Sequence, residues 1–397
     1  MMDFDTSRPV CPHMDHSHNA WRASVRAFVD NEIMPNIDTW EEAGGFPFDL
    51  HRKAADVGLI GLGYPEDLGG WTDGVDRFHG LIAAEELSRP GAGGLVAGLM
   101  THGIGLPPVL ALGSDAVKQA VAPPVLSGDR LIALAITEPD GGSDVAAIKT
   151  RARRDGDSYV VNGSKIYITS GMRAHWFTTV VRTGGPGAEG LSLLLIPADS
   201  DGVSRRDLKK QGWWVSDTAE IFFDDVRVPT ENLLGAEGRG FAAAMRNFNG
   251  ERLTMAAQAL AFARVCLEEA ARWAAERTTF GKPLNRHQVI AHKLADMARR
   301  IRVGTAFLDH VTHALNRAER DGTPEPAGDI ALLKVEASQT MEFCAREAMQ
   351  IIGGASYMRG GPIGRVERIY REVRVNAIGG GSEEIMKDLA ARQLGLV

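Results

Sequence analysis

Glu251 and Arg252 stand together in NGERL, and Glu383 and Glu384 follow three glycines, Gly379, Gly380 and Gly381. A carboxylate in an apolar setting has its pKa raised toward the range of a general base, because burial disfavours the charged form. Helical spacing places Phe248 and Met255 beside Glu251. Taken alone, Glu251 also reads as an ordinary surface glutamate paired with a lysine or arginine. Glu383 and Glu384 open a helix, where acidic side chains serve the dipole. The glycine run costs backbone entropy. It requires a tight turn, a close ligand, or room left by a lost side chain.

AITEPDGGSDV, from Ala135 to Val145, is glycine-rich and follows the apolar strand LIALAI. Bare backbone N–H groups there, with Thr137 and Ser143, could hold a polar cofactor. The guanidinium of Arg277 could bind phosphate oxygens as a fork, or pair with Glu276 at a helix end. Cys11, His13, His16 and His18 crowd the N-terminus. No second cluster follows at metal-site spacing, so a mobile tail is expected there and no metal.

These residues need elements to hold them. WRASVRAFVDNEIMP carries apolar residues at helical spacing until Pro35. DRFHGLIAAEELSRPG repeats the pattern and stops at Pro90-Gly91. In SYVVNGSKIYITSG, two β-branched and aromatic runs flank Asn162-Gly163, which predicts a hairpin with a type I′ turn. WFTTVVRTGG, GLSLLLIPA and TAEIFFDDVRVP are further strands, and antiparallel pairing is expected. From Gly240 the chain turns helical again in three long stretches. Absence of strand–helix alternation and of GxGxxG disfavours a Rossmann unit.

The chain has 397 residues, 44% hydrophobic and 24% charged, as in a soluble globular protein. Its net charge of −7 makes nucleic acid an unexpected partner. The three cysteines form no CxxC, which suggests a reducing compartment. No apolar run reaches spanning length, so no membrane is expected. MMDFDTSRPV is acidic and lacks an apolar core, so it reads as neither signal nor transit peptide, and the expected location is cytoplasmic.

AITEPDGGSDV, KIYITSG, ERTTFGKPLNRHQ (Glu276–Gln288), QIIGG (Gln350–Gly354) and the C-terminal glycine run occur in one order. Together they resemble the acyl-CoA dehydrogenase family over nearly the whole chain. The resemblance implies an α+β fold. A helical domain is expected over 1–130, a small antiparallel β domain over 131–239 and a four-helix bundle over 240–397. It implies FAD as cofactor, lined by Leu134, Ile136, Thr137, Gly142, Ser143, Tyr167 and Thr169. Arg277, Thr279, Gln288, Gln350, Gly353 and Gly354 would reach the adenosine and pyrophosphate of a neighbouring subunit's FAD, in a homotetramer or dimer. Ser382 and Glu384 would also meet the cofactor.

The family's reaction is α,β-dehydrogenation of an acyl-CoA thioester, with electron-transfer flavoprotein as acceptor. A carboxylate takes the α-proton and flavin N5 takes the β-hydride. Most members carry the base in the glycine-rich turn, where this sequence has Gly380. Isovaleryl-CoA and long-chain members carry it on the helix opening the bundle, before an arginine. Glu251-Arg252 matches that position, so the resemblance makes Glu251 the base. Ser143, Asn249, Arg252 and Gly380 would bind substrate, the Gly380 N–H at the thioester oxygen. Ala97 and Gly98 are small where the family's acyl pocket often ends. With Gly379 and Gly380 they suggest a branched or bulky acyl group. The alternatives are a flavoprotein of this fold with another substrate or acceptor (an oxidase or nitroalkane enzyme) and a non-catalytic flavin-binding protein.

Overall fold

The computed structural model describes residues 2–397, except the side chains of residues 242–247. Its contacts divide the chain into two compact units. One comprises Met1–Asp38, Gly74–Val96 and Arg252–Val397; the other comprises Thr39–Asp73 and Ala97–Glu251.

The second unit is built on an eight-stranded sheet. Its strands are β1 (Ile132–Ala135), β2 (Arg151–Asp155), β3 (Ser158–Thr169), β4 (Trp176–Arg182), β5 (Leu191–Pro197), β6 (Val203–Asp207), β7 (Thr218–Pro229) and β8 (Leu233–Leu234). The order is β6-β7-β3-β2-β4-β5-β8, with β1 also on β4. Tyr159, Val161, Ile168, Phe177, Leu194 and Ile221 form its core.

Two expectations need correction. The sheet is mixed, because β1 and β2 both run parallel to β4. Ala135 pairs with Thr179 and Arg151 with Arg182. The chain between Ala135 and Arg151 is therefore an excursion that leaves β4 and returns to it. That excursion is the glycine-rich segment.

Asn162-Gly163 is no hairpin turn. It is a bulge inside β3, marked by a register shift against β7 between Val161 and Gly163. The hairpin lies one step earlier, where Asp155 pairs with Ser158 and Gly156 takes φ 64°. β7 is as long as β3 and pairs along it, so the strand continues through the bulge.

The first unit is helical. It holds the long helix Gly240–Glu276 from Arg252 onward, then Gln288–Asp321, Ala327–Ile352, Gly364–Ile378 and a short closing helix, Glu383–Gln393. Leu260, Cys266, Met297, Leu308, Met341 and Ile369 lie in one buried cluster. Gly304 permits part of this packing, since a Cβ there would stand 2.7 Å from Leu260 Cδ2. No single helix among the described residues is long and apolar enough to cross a membrane.

The N-terminal segment is not a mobile tail. Phe4, Ser7 and Cys11 are buried in the helical unit. Arg8 bridges Glu85 at 2.8 Å and Asp309 at 2.7 Å. Arg264 covers the Phe4 ring at 3.8 Å and donates to the Phe4 carbonyl. Burial alone would raise the pKa of Glu85, but Arg8, Arg264 and Arg22 hold it well below the usual carboxylate range. Sequence periodicity missed this segment because arginine–carboxylate pairing and two isolated apolar side chains, Phe4 and Cys11, fix it without a periodic apolar face.

His18 has a structural task as well. Asp15 caps the helix His16–Phe28 and Asp76 caps Arg77–Leu87, each in a capping box closed by a histidine. The rings of the two histidines, His18 and His79, meet in a tilted pair with centroids 4.3 Å apart. Asp76 and these histidines offer ligand atoms within 4.8 Å of one another. They already serve the caps, and the positive ends of two helices oppose a cation there.

Arg8→Met should destabilise the protein by about 3 kcal/mol, because it leaves buried carboxylates short of a partner. Urea denaturation followed by circular dichroism measures this. An unchanged midpoint would restore the mobile-tail reading.

Candidate active site

The excursion from β4 is anchored at its base by a buried cation. Lys165 on β3 donates to the Ile136 carbonyl at 2.9 Å and to Glu138 Oε1 at 2.8 Å. Glu138 in turn accepts from the N–H groups of Lys149 and Thr150. Burial pushes the Lys165 ammonium down, and the Glu138 carboxylate opposes that shift. A tight turn closes as Glu138 and Gly141 exchange backbone bonds of 2.9 and 3.1 Å. Ile166 N–H donates to the Thr137 carbonyl at 2.8 Å, which ties the excursion to β3.

This arrangement brings Leu134–Ser143 and Tyr167–Thr169 together. Ile136 is buried, Leu134, Thr137 and Thr169 are half-buried, and Gly142 and Ser143 are exposed. Tyr167 is 68% exposed, on a second bulge of β3. Tyr167 takes φ 62° and Ser170 φ 58°, a left-handed backbone that costs roughly 1–3 kcal/mol per residue. Strained backbone that presents an aromatic ring beside open glycines fits a flat, polar-edged cofactor such as a flavin. Lys165 and Glu138 lay inside the motifs read from sequence but were not singled out. A lysine inside a strand otherwise rich in β-formers was the available signal.

In the helical unit, Arg277 begins a hairpin. Thr278–Thr279 pairs with Lys282–Pro283 across Phe280 (φ 49°) and Gly281 (φ 79°), both positive as a type I′ turn requires. Phe280 at its tip is 98% exposed. His287 Nε2 lies 3.1 Å from the Thr279 carbonyl and steadies the hairpin. Arg277 is exposed and forms no ion pair among the described residues; Glu276 faces Arg272 instead. Gln288, Gln350, Gly353 and Gly354 are exposed too, and open space surrounds both glycines. An unpaired guanidinium beside an exposed aromatic ring fits the phosphate and adenine parts of FAD.

The third group is the glycine turn. Arg252 Nε donates to the Gly380 carbonyl at 3.0 Å, and Lys334 Nζ to the Gly381 carbonyl at 2.7 Å. Gly380 and Gly381 take φ 65° and 102°. A Cβ at Gly381 would stand 2.5 Å from Met386 Cε. Ser382 caps the closing helix. Glu383 has both carboxylate oxygens engaged, by Ser338 at 2.7 Å and Gln339 at 3.0 Å. Glu384 is exposed, and hydrogen bonds from its own backbone N–H and Ser382 lower its pKa. In the other unit, Asn249 and Glu251 are half-buried, and Glu251 Oε2 is shielded from solvent.

The expected spare room at Gly98 is absent. A Cβ there would stand 3.1 Å from both Phe46 Cε1 and Ser216 Oγ. Neighbouring side chains have refilled that space. Near Gly379, Met255 Cε lies 3.7 Å from where a Cβ would sit.

A helical unit, a mixed-sheet unit, a strained glycine-rich loop and a cation-held glycine turn are features that a flavin-dependent oxidoreductase would use. Family models described as acyl-CoA dehydrogenase N-terminal, middle and C-terminal domains match residues 15–129, 133–226 and 238–395. An acyl-CoA dehydrogenase of Alternaria alternata is 40% identical, over 98% of this chain and 93% of its own. The crystal structure of a probable acyl CoA dehydrogenase from Mycobacterium abscessus is 44% identical, with a TM-score of 0.91, over 96% of this chain and 100% of its own. A glutaryl-CoA dehydrogenase of Mycobacterium smegmatis in complex with FADH2 is 27% identical, with a TM-score of 0.88, over 97% of this chain and 96% of its own. The chain belongs to the acyl-CoA dehydrogenase family. It is an oxidoreductase and its cofactor is FAD.

Arg277→Ala should weaken FAD retention about ten- to a hundredfold, since a charge-assisted hydrogen bond is worth roughly 1.5–3 kcal/mol. Flavin absorbance after exhaustive dialysis reads the loss. Full retention would remove Arg277 from the cofactor site.

Proposed function

We propose that the protein oxidises an acyl-CoA thioester to the trans-2-enoyl-CoA, with Glu251 removing the α-proton. One observation carries this choice of base. Of the carboxylates the sequence offers, Glu383 is held at both oxygens and Glu384 is exposed, whereas Glu251 keeps an oxygen away from water. Met255, one helical turn on, adds an apolar neighbour. An ionised carboxylate with poor solvation is a stronger base than one in water.

The remaining roles follow the chemistry of each group. FAD, when bound, supplies the two-electron acceptor for the β-hydride. Leu134, Ile136, Thr137, Gly142, Ser143, Tyr167 and Thr169 would orient its ring system. Arg277, Thr279, Gln288, Gln350, Gly353, Gly354, Ser382 and Glu384 would hold its polar end. Ser143, Asn249 and Arg252 would position the acyl-CoA, with the Gly380 N–H on the thioester oxygen, where negative charge develops as the α-proton leaves.

Homo-oligomerisation, as a tetramer or dimer, is supported by the exposed aromatic side chains Phe280 at 98% and Tyr357 at 84%. Electron-transfer flavoprotein is the proposed acceptor. A cytoplasmic location is supported by three buried free cysteines.

Glu251→Gln should slow anaerobic flavin reduction by acyl-CoA by roughly 10²–10⁴-fold, with FAD and acyl-CoA still bound. Adding Gly380→Glu should recover part of that rate by offering a carboxylate from the turn. Recovery should be incomplete, because φ 65° costs a non-glycine residue about 1–2 kcal/mol. Near-normal bleaching in Glu251→Gln would refute the assignment of the base.

A further inference from the structure

We propose that Lys334 is a positioning residue for the reaction: it holds the 380–382 turn so that its backbone N–H groups stay available to the thioester oxygen. The proposal rests on the acyl-CoA reading above and adds a residue that reading does not use.

Lys334 lies in the middle of the helix Ala327–Ile352, where its neighbours Ile330, Ala331, Leu333 and Ala337 are fully buried. It is itself 2% exposed. An ammonium in such a place is costly unless strongly bonded. It donates to the Gly381 carbonyl at 2.7 Å, across to the turn between the last two helices. Arg252, at 7% exposure, donates to the preceding carbonyl, that of Gly380, at 3.0 Å. Two buried cations from two helices thus grip two consecutive carbonyls.

The other edge of the turn shows what the grip is for. The backbone N–H groups of Gly380, Gly381 and Ser382 donate to no acceptor among the described residues. All three residues are half-buried. N–H groups with no acceptor within the chain are open to a ligand or to water. Successive N–H groups around left-handed residues form concave anion sites, and Gly380 and Gly381 both have positive φ.

The covalent geometry links the two edges. A peptide is planar, so fixing the Gly380 and Gly381 carbonyls fixes the N–H groups of Gly381 and Ser382 directly, and the Gly380 N–H, on the preceding peptide, is held through the Gly380 Cα that the two grips anchor. A carbonyl that accepts from a cation also makes the N–H of its own peptide a better donor. Three glycines in succession would otherwise sample many conformations. Lys334 therefore acts through the turn and touches neither reacting carbon.

The test uses the FAD-loaded enzyme with octanoyl-CoA as reductant and trans-2-octenoyl-CoA as bound reporter. Lys334→Met keeps length and removes the donor. Flavin reduction at saturating octanoyl-CoA should fall about 10- to 100-fold, the range expected for a misplaced donor. FAD content should stay full, and the octenoyl-CoA dissociation constant should change less than about threefold. The vibrational C=O stretch of bound octenoyl-CoA should move to higher wavenumber, since the carbonyl loses polarisation. Lys334→Arg should restore part of the rate and part of the shift.

Wild-type rate and stretch in Lys334→Met would overturn the proposal. So would a slower rate with an unmoved stretch, which would mean that Lys334 only stabilises the helix pair. If Lys334→Met does not fold with FAD, Lys334→Gln decides by the same two readings. Repeating the stretch measurement in Glu251→Gln separates this idea from the identity of the base. Lys334→Met must move the carbonyl band there too, whichever residue takes the proton.

Discussion

A buried lysine bonded to a loop carbonyl is the interaction on which the glycine-rich loop of each unit depends. In the sheet unit, Lys165 leaves β3 and bonds the Ile136 carbonyl at 2.9 Å. In the helical unit, Lys334 leaves its helix and bonds the Gly381 carbonyl at 2.7 Å. The two lysines are 0% and 2% exposed. Each comes from a regular element and reaches a glycine-rich segment that has no ladder or helix of its own. Desolvating an ammonium costs several kcal/mol. Ordering each free backbone residue costs about 1–2 kcal/mol. A single cation that fixes several such residues offsets its own burial.

The same device suits a loop to binding a ligand. A loop that satisfied its own backbone would have no donors to offer. By meeting the Gly381 carbonyl from inside, Lys334 leaves the N–H edge of its turn for something outside the chain. Regular structure then sets where the loops stand. β1 and β2 pair with β4 almost end to end, so the segment from Ile136 to Thr150 has to leave the sheet. The hairpin at Arg277 works by another route: positive φ at Phe280 and Gly281 turns the chain tightly and leaves Phe280 in solvent.

Long helices and most strands were legible in the sequence, because apolar period and β-branched runs report directly on burial. Asn162-Gly163 misled because the dipeptide that favours a type I′ turn also fits a bulge. Only the length of β7 decides between them, and that is a property of a strand some sixty residues away in sequence. The N-terminal segment misled for a different reason. Its anchor is Arg8 with Glu85 and Asp309, three residues with no local pattern. Lys334 was invisible inside ALLKVEASQ, since a lysine on a helix usually lies in water. Motif residues such as Thr137, Tyr167 and Arg277 were legible as a set, whereas the cations that hold their loops were not.

The three glycines can now be told apart. Gly381 is favoured by its backbone, since φ 102° strains any side chain, and a Cβ there would also push aside the end of Met386. Gly380 takes φ 65°, which a side chain could adopt only with strain. Gly379 has neither constraint: its φ of −68° suits any residue. A Cβ there would meet the Val375 carbonyl at 3.2 Å and Met255 Cε at 3.7 Å. A side chain at Gly379 would therefore sit tight against the Val375 carbonyl and in ordinary contact with Met255. Met255 lies one turn beyond Glu251 on the continuous helix Gly240–Glu276. If the carboxylate has moved to that helix, the base and the side chain beside the vacated turn are set by one rigid element.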